Sequence, residues 1–163
     1  MVKFDNSLKT AFLNSVPIVS IENKDDKLTE RCKFNFSYMD YSQSAGHTFE
    51  QWSDLTKLME KIKSYCKEPL EYWTKQSIGH GGRKILEIYG NFPANSDFVH
   101  PRHVPIEAQW GRFRLNNDER LAGFILPEAC HGQIHGGTGL FFDCNVFYVV
   151  FLDPNHGFYK TMS

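Results

Sequence analysis

The sequence predicts an α+β fold, a helical hairpin packed on an antiparallel sheet in one domain. Three observations carry this. The last third holds three strand-like runs, the middle holds one capped amphipathic helix, and the 163 residues are 15% aromatic. That length suits one domain with a real core, and aromatic rings pack well on pleated surfaces. The expected domain spans 1–163, with 1–30 as a peripheral N-terminal segment.

In chain order, Val16–Ile21 could form an edge strand, because Pro17 is tolerated there. Asn23–Lys27 reads as a turn. Cys32–Tyr38 alternates apolar and polar residues with period two, the pattern of a half-buried strand. Thr48 and Gln51 have the spacing of a capping box. After them Trp52, Leu55, Leu58, Met59, Ile62, Tyr65 and Cys66 fall on one helical stripe. Pro69 ends that helix and suits the first turn of a second, to about Lys75, with Leu70, Tyr72 and Trp73 inward. Lys84–Tyr89 is either a strand or a short helix. Gln109–Leu115, Arg120–Leu126 and Val146–Asp153 are strands. The last is so continuously apolar that both its faces must be covered. Pro127–Asn145 is a long loop, and Phe158–Thr161 a final short strand.

Eighteen Lys and Arg balance 19 Asp and Glu. The chain is therefore not a polycation, and phosphate binding would need a local cluster. No stretch approaches the ~20 apolar residues of a membrane span, and no secretion signal is visible. The four scattered cysteines then read as reduced thiols in a cytoplasmic protein, with two disulfides as the alternative.

Arg112-Phe113-Arg114-Leu115, Arg120-Leu121-Ala122-Gly123-Phe124 and the run Val146 to His156, after a strand and a helical hairpin, resemble the C-terminal sheet of the RelE/ParE toxin superfamily. The resemblance covers roughly residues 49–160. It implies a small bacterial toxin, a metal-independent endoribonuclease acting on RNA, including mRNA on the ribosome. It also implies a protein antitoxin as partner, and neither cofactor nor membrane.

The residues that would do this chemistry are Arg112, Arg114, Arg120, His156, Tyr159 and Lys160. Cleavage through a 2′-hydroxyl needs a base, an acid and a cation on the phosphate. His156, Tyr159 and Arg120 are the expected catalytic residues. Arg112, Arg114 and Lys160 are the expected phosphate binders, since Arg suits bidentate phosphate contacts. Arg112 and Arg114 share one strand face. The plainer alternative makes them a solvated outer face and His156 a turn residue.

Other readings stay open. His100-x-x-His103 and Cys130-His131 with His135 have donor types that suit zinc. Gly79–Gly82 with Arg83 and Lys84, and the glycines of 132–139, could cradle an anion. A non-catalytic protein-interaction module, from a phage or mobile element, would use an exposed aromatic patch at Trp110, Phe141 and Phe142. No G-x-S-x-G elbow and no H-E-x-x-H is present, so the usual serine hydrolase and zinc protease signatures are missing.

Overall fold

A computed structural model describes residues 6–15, 21–78 and 81–160. The strand expected at Val16–Ile21 falls on positions 16–20, outside the described residues. Helix α1 (Ser7–Ser15) buries none of its side chains. Strand β1 (Lys33–Asn35) leads to helices α2 (Leu55–Tyr65) and α3 (Leu70–Lys75). A two-residue pair, β2 (Ser77–Ile78) and β3 (Arg83–Lys84), precedes β4 (Leu86–Gly90), β5 (Gln109–Arg114), β6 (Arg120–Ile125) and β7 (Val146–Asp153). The main sheet has the order β1-β7-β6-β5-β4. The class is α+β, as the sequence predicts.

The sheet is mixed rather than wholly antiparallel. β4 to β7 form an antiparallel meander, but β1 lies parallel to β7. Parallel neighbours need a long crossover, and everything from α2 to β6 supplies it. β1 is also shorter than its alternation suggests. The Asn35 carboxamide oxygen accepts from both the backbone N–H and the hydroxyl of Ser37, which offers the backbone a turn in place of the ladder. The chain then switches sides: Phe34 and Phe36 pack into one cluster and Tyr38 into the other.

The capping-box residues do bond as expected. The Thr48 N–H donates to Gln51 Oε1 (2.8 Å), and the Gln51 N–H to Thr48 Oγ1 (3.3 Å). They close a turn, however, not the helix. The helix starts six residues later, where the Asp54 carboxylate accepts from the Lys57 N–H. Its buried stripe narrows to Leu58, Ile62 and Tyr65, while Leu55 and Met59 are exposed. In α3, Leu70 is buried but Tyr72 faces outward. Trp73 donates its indole N–H back to the Tyr65 carbonyl (2.8 Å), joining the two helices.

The sheet carries a core on each face. Leu58, Ile62 and Tyr65 of α2 pack with Leu86, Phe113, Leu121, Phe147 and Leu152. On the other face Trp110, Phe124 and Phe151 are covered by irregular chain, through Phe98, Val104, Ala108 and Phe158. Trp110 is therefore core and not part of an exposed patch. Residues 158–160 form no strand. All four cysteines are free thiols, and among the described residues no helix is long and apolar enough to cross a membrane.

Candidate active site

The site lies on the second face of the sheet, at the edge of its aromatic core. Antiparallel register builds it. Arg114 pairs directly with Arg120, Glu87 with Arg112, and Arg120 with Asp153. Directly opposed residues project from the same face, so β4 to β7 bring their polar side chains to one corner. The result is a cleft of about 500 Å³ lined by Arg112, Arg114, Arg120, His156, Glu87 and Asn117, with Gly81–Lys84 as its lip.

The three arginines are not a solvated face. Arg112 is 7% exposed, Arg114 5% and Arg120 fully buried. Each is held differently. Arg112 donates Nε–H to the Tyr89 hydroxyl and Nη2–H to Glu87 Oε2 (3.0 Å). Arg120 is clamped by three carbonyls of the preceding turn, those of Asn116, Asn117 and Glu119, at 2.7–2.8 Å. The Arg114 guanidinium has no hydrogen-bond partner among the described residues. Across the cluster Arg112 Nη1, Arg114 Nε and Arg120 Nε are buried donors with no acceptor among the described residues. Burial, then Arg114 and Arg112, pulls Arg120 down to about 10. Burial, then Arg112 and Arg83, lowers Arg114.

Buried N–H donors left unsatisfied are costly, and folded proteins rarely keep them. Among the described residues, five cationic side chains line the cleft against one carboxylate, that of Glu87. Asp153 does not offset them by direct pairing. Its oxygens accept from the backbone N–H groups of Asn155 (3.2 Å), Gly157 (2.9 Å) and Phe158 (3.0 Å). An anion with several acceptor oxygens could satisfy these donors.

The same Asp153-centred turn carries His156. Its backbone sits in the left-handed region at φ 58°, where non-glycine residues are uncommon and which often marks a functional position. Burial first, then Arg112 and Arg120, holds its imidazole below the ordinary 6.5. The neutral, proton-accepting form of His156 is thus favoured beside the arginine donors that line the same cleft.

Of the six residues singled out from the sequence, four converge here: Arg112, Arg114, Arg120 and His156. Tyr159 lies behind the cleft wall, stacked on Tyr89 at 4.3 Å and 7°. It backs the tyrosine that holds Arg112. Lys160 is tied to Asp97 in an exposed ion pair and does not line the cleft. Sequence reading missed Glu87, Tyr89 and Asn117. Glu87 and Tyr89 share parity on β4, a signal that was readable once that segment was known to be a strand. Asn117 enters through its backbone, which leaves no residue-type signal.

The zinc reading finds no support in the placement of its residues. Among the described residues no three His, Cys, Asp or Glu side chains are grouped to hold a metal ion. His100 Nδ1 lies 2.9 Å from the Pro101 carbonyl and His103 Nε2 3.1 Å from that of Tyr38. Comparison with protein-family models, curated proteins and solved structures finds no match to this chain.

Proposed function

We propose that this protein is a RelE-like, metal-independent endoribonuclease that acts on RNA in the cytoplasm, with mRNA on the ribosome as a candidate substrate. The observation that carries the reading is the trio of buried, unpartnered arginine donors beside a neutral-biased histidine.

In this scheme a phosphodiester takes the place that the arginine donors leave open. Arg114 and Arg112 bind its non-bridging oxygens, and Arg120 stabilises charge on the departing 5′-oxygen. His156 takes the 2′-hydroxyl proton as that oxygen attacks phosphorus. Tyr89 and Glu87 fix Arg112, and Tyr159 supports Tyr89 by stacking. A protein antitoxin would silence the enzyme by covering this corner.

The test is incubation of RNA with purified protein in EDTA, with and without translating ribosomes. Cleavage is expected, and it should fall at least about 100-fold in His156→Asn, as loss of a general base does. Asn tolerates the left-handed backbone that His156 adopts, so this variant keeps the turn. Intact RNA under every condition would overturn the proposal.

A non-catalytic interaction module is favoured by one observation. Ile134, Leu140 and Phe141 are exposed together on the 127–145 hairpin, at 62%, 70% and 71%. That reading leaves the arginine cluster without a role, which is why it ranks second.

A further inference from the structure

At the opposite end of β6, on the face that also carries Arg120, lies a second cleft of about 550 Å³. The separation is on the order of 13 Å along the strand, four residues from Arg120 to Phe124. One wall is an aromatic shelf. Phe124 and Tyr148 stack at 4.9 Å and 9°. Tyr38 stands edge-on to both, at 5.1 Å and 5.6 Å. The facing wall comes from the 127–145 segment, which is a hydrogen-bonded hairpin. The Phe142 N–H donates to the Gln133 carbonyl (2.9 Å) and the His135 N–H to that of Leu140 (2.7 Å). This ladder places Phe142 and His135 over the cleft, their rings at 85° to each other.

The polar groups around these rings are not used by the fold. Glu107 lines the cleft, as do Tyr38 and Tyr148. Among the described residues neither phenol hydroxyl nor the Glu107 carboxylate has a hydrogen-bond or ion-pair partner. No Lys or Arg lines the cleft. A slot between aromatic walls, of ordinary ligand-pocket size, with a free carboxylate at its rim, suits a flat ring that donates hydrogen bonds. Aromatic side chains stack on an exposed base whichever base it is. The carboxylate adds a preference, because its two oxygens can accept two adjacent N–H donors.

We propose that this cleft is a nucleobase subsite. The base stacks between Tyr148 and Phe142, and Glu107 accepts from a ring N–H and a neighbouring amino group, the donor pair presented by guanine. The assignment deepens the RNA reading by naming the base that the protein selects. It does not depend on the arginine cleft to bind.

The experiment uses free nucleosides, which carry no phosphate. Calorimetric or NMR titration of the full chain with guanosine is expected to show binding, and inosine, which lacks the amino group, to bind about tenfold more weakly. Glu107→Gln should erase the guanosine preference, and Phe142→Ala should weaken all nucleosides. Glu107 is exposed, so its variant is expected to fold. Absence of guanosine binding would overturn the subsite, as would binding indifferent to both substitutions. A parallel titration with inorganic phosphate probes the arginine cleft separately. A protein that binds phosphate but no nucleoside loses only this inference, and one that binds nucleoside but no phosphate loses only the arginine reading.

Discussion

The Arg114 guanidinium is 5% exposed, has no side-chain hydrogen bond among the described residues, and is repelled by Arg112 and Arg83. The attraction of Glu87 ranks below burial and these two repulsions, so folding gains little from its charge. Replacing a poorly compensated buried ion by an apolar side chain of similar length commonly stabilises a protein. Arg114→Met is therefore expected to raise stability by about 1 kcal/mol, a shift of roughly 3 °C in thermal midpoint for a chain of this size. The same variant should lose the stabilisation by inorganic phosphate expected of the parent, which mass action sets at about 2.7 kcal/mol when phosphate is 100-fold above its Kd. Thermal scans with and without phosphate measure both effects. A variant that is less stable and still responds to phosphate would show that Arg114 serves the fold instead. His156 gives the matching pH prediction. Its pKa is lowered from 6.5, so the neutral, proton-accepting form persists to lower pH than for a free histidine. The acid limb of the cleavage rate should sit below pH 6.5, and Arg112→Gln should move it upward by removing one of the two nearby cations. A limb at or above 6.5 in the parent would assign the base to another group.

Among the elements, β6 is where spacing is tightest. Gly123 sits at the register shift between β6 and β7, and a Cβ there would lie 2.0 Å from the Tyr148 carbonyl oxygen. The opposing Gly111 would bring a Cβ to 2.6 Å from the Glu87 carbonyl. Backbone atoms cannot move aside as a flexible side chain would. Gly123→Ala is expected to cost about 3 kcal/mol or more, as severe overpacking does, read as a lower denaturant midpoint. The strands themselves were legible. Val146–Asp153 agrees end to end, and β5 and β6 each stop one residue short of the expected range, because dense apolar alternation leaves few other arrangements. What was not legible depends on distant partners. The parallel pairing of β1 with β7 joins residues more than a hundred positions apart, and nothing local in Lys33–Asn35 encodes it. The late start of α2 is a competition between two good caps, Thr48 and Asp54. The helix that forms takes the Asp54 cap and buries Leu58, Ile62 and Tyr65, while Thr48 and Gln51 close a separate turn, a choice that local chemistry alone does not make.

Across the whole molecule, the two sheet faces are closed by different means. Helices cover one, and irregular chain bearing Phe98, Val104 and Phe158 covers the other. Irregular chain leaves gaps, and both clefts open on that second face. The arginines were visible in the sequence as a strand pattern, but their burial was not, because it depends on the β4 edge and the turn that bears His156. The hydrophobic closure of the first face makes a prediction of its own. Burial pushes the Cys32 thiol from 9.0 to about 12 and the Tyr65 hydroxyl from 10.0 to about 12, the latter also hydrogen-bonded to the Arg114 carbonyl. Behind the arginine cleft, burial likewise raises Tyr89 from 10.0 to about 12. These groups hold their protons more tightly folded than unfolded. Their contribution is complete below pH 9, where both states are protonated. It is lost as pH rises toward 12, because the unfolded chain ionises first. Each group steepens the decline by at most about 1.4 kcal/mol per pH unit. Denaturant midpoints measured across pH 8 to 12 should therefore fall from about pH 9 onward. In Cys32→Ala, a weaker protein overall, the fall between pH 9 and 10 should be shallower, because burial also raises the Cys66 and Cys144 thiols from 9.0 and these remain. An identical slope in both proteins would show that the Cys32 thiol is not sealed in the core.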